Sequence, residues 1–177
     1  RVLVFEKTGP HDFKPPEAFD PQALCIAATH DLPSLRGWWA GLDIDSRERL
    51  ELYPRPGMAA EERAGRAADR AALVRALAAR GLLEADFPDG GALDDCQAEA
   101  LAEAVHLFLG ASRSRLAMVQ MEDVLGLEMQ MNLPGTVNQH PNWRWRFPRP
   151  VAALLEDERL RRLAARLGAL RPARETP

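Results

Sequence analysis

An α/β fold built on parallel strands is what this sequence predicts, and three observations predict it. Two apolar runs, LCIAA (Leu24 to Ala28) and LAMVQM (Leu116 to Met121), show no alternation of polar and apolar positions. Such runs mark strands buried on both faces under helices. Each run leaves directly on polar residues, Thr29-His30-Asp31 in one case and Glu122-Asp123 in the other. Stretches with apolar residues at helical spacing lie between and after them, the order expected of strands joined by helices.

Taken in order, RVLVFEK (Arg1 to Lys7) is a short β-branched and apolar run closed by charges, and it predicts a first strand. TGPHDFKPPEAFDPQ holds four prolines and one glycine and predicts a long loop. The second strand is Leu24 to Ala28. Ser34 to Leu50 predicts a helix with Ser34 as its N-cap, and Ala59 to Leu83 a second, with Ala67, Ala71, Val74 and Ala78 as its core stripe. A third helix is expected over Asp94 to Leu109. There Asp94 and Gln97 form a capping box, Ala98, Leu101, Val105 and Phe108 face the core, and Gly110 supplies the exit. Leu116 to Met121 is the third strand, followed by a loop rich in turn residues. The last helix starts near Pro150 and carries Leu154, Leu155, Leu163 and Leu167. The tail from 170 to 177 is expected to fray.

Composition narrows the function classes. The chain is 46% hydrophobic and 28% charged with a formal net charge of −3, the range of a soluble globular domain and a poor match to a general nucleic-acid binder. Cys25 and Cys96 lie far apart with no Cys/His cluster near them, which predicts reduced thiols in a cytoplasmic protein and no metal centre. No run approaches the ~18 apolar residues of a membrane span. Neither a membrane nor a nucleic-acid partner is expected, and no cofactor is implied.

In parallel α/β folds the carboxyl ends of the strands carry the chemistry. A carboxylate fixed there suits glycosyl transfer, because positive charge grows at the anomeric carbon in the transition state and a fixed anion favours that state over the ground state. A neighbouring imidazole can hydrogen-bond sugar hydroxyls. Asp31 and His30 supply these groups. The same pair also fits a purely structural role, Asp31 capping the next helix and His30 packing at the sheet edge, and the dipeptide alone does not decide between them.

Three wider blocks carry a resemblance. RVLVFEK, ATHDLPSLRGWW and VQMEDVLGLEMQMNLPGTVNQHPNWRWR resemble the sixth, seventh and eighth strand regions of the 4-α-glucanotransferases (amylomaltases, or disproportionating enzymes) of the α-amylase clan. The likeness runs from Arg1 to about Phe147. It implies that residues 1–177 form the C-terminal portion of a (β/α)8 TIM barrel, about strands six to eight with inserted helices, since a whole barrel takes ~250 residues. The implied activity is transfer of part of an α-1,4-glucan (a maltodextrin) to the 4-hydroxyl of another glucan by retaining double displacement.

The resemblance also assigns roles. Asp31 corresponds to the catalytic carboxylate that stabilises the transition state, and His30 to a residue binding the sugar before the scissile bond. Phe5 corresponds to an aromatic near the acceptor side, with core packing an equal reading. Asn132 corresponds to a glucan-contacting residue of the loop, with a turn-forming role an equal reading. Glu122 and Asp123 are read as helix-capping or supporting groups rather than an acid/base pair. Trp143 and Trp145, with arginines between and beside them, are read as closing a barrel end by cation–π packing in preference to stacking on sugars. Trp38 and Trp39 are read as core. The family's nucleophile and general acid sit on earlier strands and have no counterpart here, so the chain by itself is expected to be inactive, with the upstream part of the same barrel as its partner. The alternative is a non-catalytic α-glucan-binding or interaction module.

Overall fold

The computed structural model describes residues 1–172. The fold is α/β. A short parallel ladder forms its centre: β3 (Leu24–Cys25) pairs in parallel with β4 (Leu116–Ala117) on one side, and Val2 bridges in parallel to Ile26 on the other. Ahead of them in the chain, β1 (Lys7–Gly9) and β2 (Asp12–Phe13) make a separate antiparallel hairpin.

The strand expected over Arg1 to Lys7 is therefore mostly absent. Leu3 N–H still donates to Ile26 O, but Leu3–Phe5 closes into a 3₁₀ turn in which Phe5 N–H donates to Val2 O and Glu6 N–H to Leu3 O. Those local bonds consume the donors that would extend the ladder. The proline-rich segment expected to be a loop instead holds the hairpin and a 3₁₀ turn over Pro16–Ala18. The hairpin is docked by Lys7, whose Nζ lies 2.7 Å from both carboxylate oxygens of Asp69, and by His11 Nδ1 at 2.7 Å from the first of them.

The helices cover one face of the ladder. These are α1 (Leu35–Ala40), α2 (Leu42–Arg49), α3 (Met58–Ala78) and α4 (Asp95–Gly110), then the short α5 (Met121–Val124) and α6 (Val151–Leu154), and finally α7 (Glu158–Leu170). Cys25 and Ala27 point into this layer, fully buried with Trp39, Leu73, Leu77, Leu101, Val105 and Phe108. The opposite face is open: Leu116 and Met118 are 58% and 51% exposed. The expectation that both faces are buried is corrected here, because no helix or strand among the described residues lies over that side.

The single helix expected from Ser34 to Leu50 is two. Gly41, at φ +79°, caps α1 in the left-handed conformation that costs glycine little, and α2 starts at the next residue. Helix α3 ends at Ala78, short of Leu83, and its buried face is Arg66, Ala72, Leu73, Val74 and Leu77 while Ala67 is exposed. The larger aliphatic side chains, not the alanines, set its rotation. Helix α4 follows expectation: Asp94 accepts from Gln97 N–H at 2.8 Å, Gln97 accepts from Asp94 N–H at 3.0 Å, and all four core positions are buried. Gly110 is its last residue and Ala111 its cap. The last helix is interrupted at Asp157, which accepts from Arg159 N–H and starts α7; Leu163 is buried and Leu155 exposed. Arg171 donates to the carbonyls of Gly110, Ser112, Ser114 and Arg115 and so is tied down, against the expectation of fraying from residue 170. Residues 173–177 of that tail lie outside the described residues.

A buried ion pair locks α1, α2 and α3 together. Arg66 Nη1 and Nη2 donate to the two oxygens of Asp43 at 3.0 and 2.9 Å, and Nη1 also reaches Trp38 O. The guanidinium sits 4.9 Å from the Trp38 ring centroid. These contacts, with Trp38 and Trp39 in the core as expected, build one wall of the site.

Candidate active site

Thr29-His30-Asp31 leaves the carboxyl end of β3 in a turn closed by Leu32 N–H donating to Thr29 O. Thr29 Oγ1 accepts from Asp31 N–H at 3.3 Å. The turn sets the Asp31 carboxylate, 46% exposed at the side chain, between two polar partners. Asn132 Nδ2 donates to Oδ1 at 2.6 Å, and His30 Nε2 lies 3.4 Å from Oδ2.

Asn132 arrives from the loop after β4, and a web of bonds fixes it. Its own N–H donates to His30 O at 3.0 Å. Gln130 Nε2 bridges Asp31 O at 2.8 Å and Asn132 O at 3.0 Å, while His140 Nε2 donates to Gln130 O at 2.9 Å. Asn142 then clamps the MNLPGT segment to the HPNWR segment: its Oδ1 accepts from Leu133 N–H, and its Nδ2 donates to Thr136 O and Oγ1. Asn132 is thus a hydrogen-bond partner of the carboxylate, and it stands just ahead of the turn that Thr136 N–H closes on Leu133 O.

Phe5 is 70% exposed among the described residues, and it lines a cavity of about 540 Å³ together with Asp31, Trp38, Arg66, Asp69 and Gln130. The structure gathers Asp31, His30 and Asn132 into direct contact, whereas Phe5 shares only the cavity with Asp31. Trp143 is 65% exposed, its ring centroid 5.0 Å from that of His30. The cation–π contacts among the described residues that involve tryptophan engage Trp38 and Trp39 instead, so the expected packing of Trp143 by arginine is not formed.

The turn that bears Asp31 runs on into α1, and the start of α1 is held from the β4 side. Ser34 Oγ accepts from Gly37 N–H and donates to Leu127 O, and Asp123 Oδ1 accepts from Leu35 N–H at 2.7 Å. Asp123 therefore caps a helix, though α1 rather than its own. Its other oxygen lies 3.7 Å from His106 Nε2, deep in the core. Burial pushes the Asp123 carboxyl up to about 7 against the opposing hydrogen bond from Leu35, and burial holds the His106 imidazole down to about 4. Between these two values both groups are predominantly uncharged.

Gln130 and Asn142 were not singled out from sequence. The HPNWR string was legible as a motif, but nothing in it marks Asn142 as the clamp, since its partners stand six and nine residues earlier. No group of three or more His, Cys, Asp or Glu side chains among the described residues is placed to hold a metal ion.

A carboxylate, an imidazole and an amide meeting at the carboxyl edge of a parallel ladder define an α/β protein with a polar site where such folds place their ligands. Residues 1–152 match the model of the 4-alpha-glucanotransferase family, and the chain belongs to that family. It is 39% identical over 166 residues to a 4-alpha-glucanotransferase of Mycobacterium tuberculosis, covering 92% of this chain and 22% of that one. A Haemophilus influenzae 4-alpha-glucanotransferase is 31% identical over 139 residues, 78% of this chain and 20% of its own. The crystal structure of amylomaltase from Corynebacterium glutamicum superposes with a TM-score of 0.76 at 28% identity, covering 94% of this chain and 25% of that one. The chain thus spans about a fifth to a quarter of the length of these relatives.

Proposed function

We propose that this chain supplies one wall of the active site of a 4-α-glucanotransferase acting on α-1,4-glucans. The observation that carries the reading is the Asp31 carboxylate held between Asn132 and His30 at a strand exit. Asp31 stabilises the oxocarbenium-like transition state, because an anion already oriented by its hydrogen bonds needs no reorganisation as charge develops. His30 binds hydroxyls of the sugar before the scissile bond, Asn132 both orients Asp31 and meets the glucan, and Phe5 faces the acceptor side of the shared cavity.

In this reading the N-terminal segment, β3 and β4 are the sixth to eighth strands of a (β/α)8 barrel, and residues 1–177 are its C-terminal portion. The open face bearing Leu116 and Met118 supports this, since those side chains would fill the barrel interior once the other strands close over them. The nucleophile and general acid come from those strands. The nucleophile forms a covalent glucosyl-enzyme while the acid protonates the departing oxygen; in the second step the 4-hydroxyl of a second glucan displaces the nucleophile and returns its proton to that acid, now acting as base. Transfer prevails over hydrolysis when the acceptor is held and water is excluded, and the hairpin anchored on Asp69 contributes part of that cover. No helix among the described residues is long and apolar enough to cross a membrane, and the unpaired Cys25 and Cys96 fit a reducing cytoplasm.

The test joins this segment to the rest of the barrel and gives maltotriose as sole substrate. Asp31→Asn should lower the rate of formation of glucose and longer maltodextrins by about 10²–10³-fold, the scale of one preorganised electrostatic group. Product ladders that survive the substitution would overturn the assignment.

A further inference from the structure

Trp143 is an expensive residue in an exposed place. Its φ of +60° lies in the left-handed region, which a bulky side chain rarely occupies. Such conformations persist where surrounding contacts over-determine them, and they concentrate at ligand sites. The contacts here are explicit. Trp143 N–H donates to Met131 O at 3.0 Å, and the preceding Asn142 is fixed by three side-chain bonds to Leu133 and Thr136. The same loop that delivers Asn132 to the catalytic carboxylate thus bends the backbone at Trp143 and aims its ring.

That ring is aimed at the site. One side meets the His30 imidazole at 5.0 Å between centroids, tilted by 45°, and the side chain is otherwise open, with the residue 65% exposed. A core tryptophan hides its area, as Trp39 does at 2%. An exposed indole on a clamped backbone beside a polar cluster offers a flat apolar surface to the C–H face of a sugar ring, while the neighbouring imidazole and amide serve its hydroxyls.

We propose that Trp143 is a glucan-contacting residue that sets substrate affinity, its indole packing on the pyranose adjoining the one bound by His30. This rests on the glucanotransferase reading for the identity of the ligand. Tryptophan supplies contact area with only two side-chain torsions to fix, and the clamped loop has already ordered its backbone, so little further freedom is lost on binding.

The experiment uses the complete enzyme with Trp143→Ala and Trp143→Phe, maltotriose and maltoheptaose as substrates, and melting temperature as a check on folding. Maltoheptaose binding is measured separately by titration calorimetry in an Asp31→Asn background, so that affinity is read without turnover. Trp143→Ala should raise KM and weaken maltoheptaose binding about five- to tenfold with kcat changed less than about twofold, the range of one aromatic contact. Trp143→Phe should recover most of the loss. Unchanged KM and binding with a lowered melting temperature would make Trp143 a packing residue and overturn the proposal. A fall in kcat alone, with a displaced pH profile, would mean that it only steers His30 and would also overturn it. If the unaltered enzyme binds maltoheptaose yet transfers nothing, the glucanotransferase reading fails, while Trp143-dependent binding still upholds the platform; absence of binding overturns both.

Discussion

Replacing Asp123 by Asn should make the protein more stable at alkaline pH. Asp123 is 2% exposed, its nearest charged neighbour in sequence is Glu122, and it faces His106, itself 2% exposed. The small cavity beside His106 is also lined by Glu99, Glu103, Arg159 and Arg162. Burial raises the Asp123 carboxyl from 3.8 to about 7. The folded protein then keeps a proton that the unfolded chain gives up between about pH 4 and 7, so the stability linked to this group is complete below the unfolded value and falls as pH rises through that window. A displacement of that size corresponds to about 4 kcal/mol once the folded carboxyl is ionised.

Asparagine carries no proton to lose. Its Oδ1 retains the bond from Leu35 N–H, and its amide N–H₂ replaces the orphaned Oδ2 opposite His106 Nε2, both ring nitrogens of which lack a partner. We expect Asp123→Asn to gain about 2–4 kcal/mol over the parent at pH 8, with the difference vanishing near pH 4. Urea unfolding followed by the fluorescence of the buried Trp38 and Trp39, repeated from pH 4 to 8.5, measures it. His106, held down to about 4 by burial, is neutral in the folded parent well above that value, so the gap at the alkaline end reports Asp123. A variant no more stable than the parent at pH 8, or a gap independent of pH, would refute the reasoning.

Gly37→Ala should cost about 1–3 kcal/mol, because a Cβ there would stand 2.7 Å from the backbone oxygen of Glu128 and 3.3 Å from Ser34 Oγ. The melting temperature should fall accordingly, and an unchanged value would mean that α1 shifts without penalty. Asp43→Asn should destabilise by about 3–5 kcal/mol, since it leaves the 8%-exposed Arg66 without its carboxylate. Thermal unfolding checks this too, and a loss below 1 kcal/mol would show that water or Glu62, 3.8 Å from Arg66, takes over the charge.

Much of the local structure was legible in the sequence. The capping box of Asp94 and Gln97, the core face of α4, the parallel pairing of β3 and β4 and the core placement of Trp38 and Trp39 all follow from short windows: a spacing, a cap, an unbroken apolar run. His30, Asp31 and Asn132 were legible because their motifs are contiguous strings. The misplaced first strand and the undivided helix across Gly41 mark the limit of such windows. Apolar content alone does not say whether a donor will join a ladder or close a local turn, and a glycine in a helical run does not declare its φ.

Tertiary structure decided what the site is made of. The amide of Asn132 meets a carboxylate 101 positions away, and Asp123 caps a helix 88 positions away, because β3 and β4 lie side by side and deliver their exit loops to the same edge. Periodicity reports which face of an element is apolar, but not what covers that face. The open side at Leu116 and Met118 and the exposed indole of Trp143 therefore emerged only from three dimensions. Sequence determined which groups this chain can bring to the chemistry. Packing determined which of them meet, since a contact between distant residues is fixed by how whole elements bury their apolar faces and not by the local preferences of either partner.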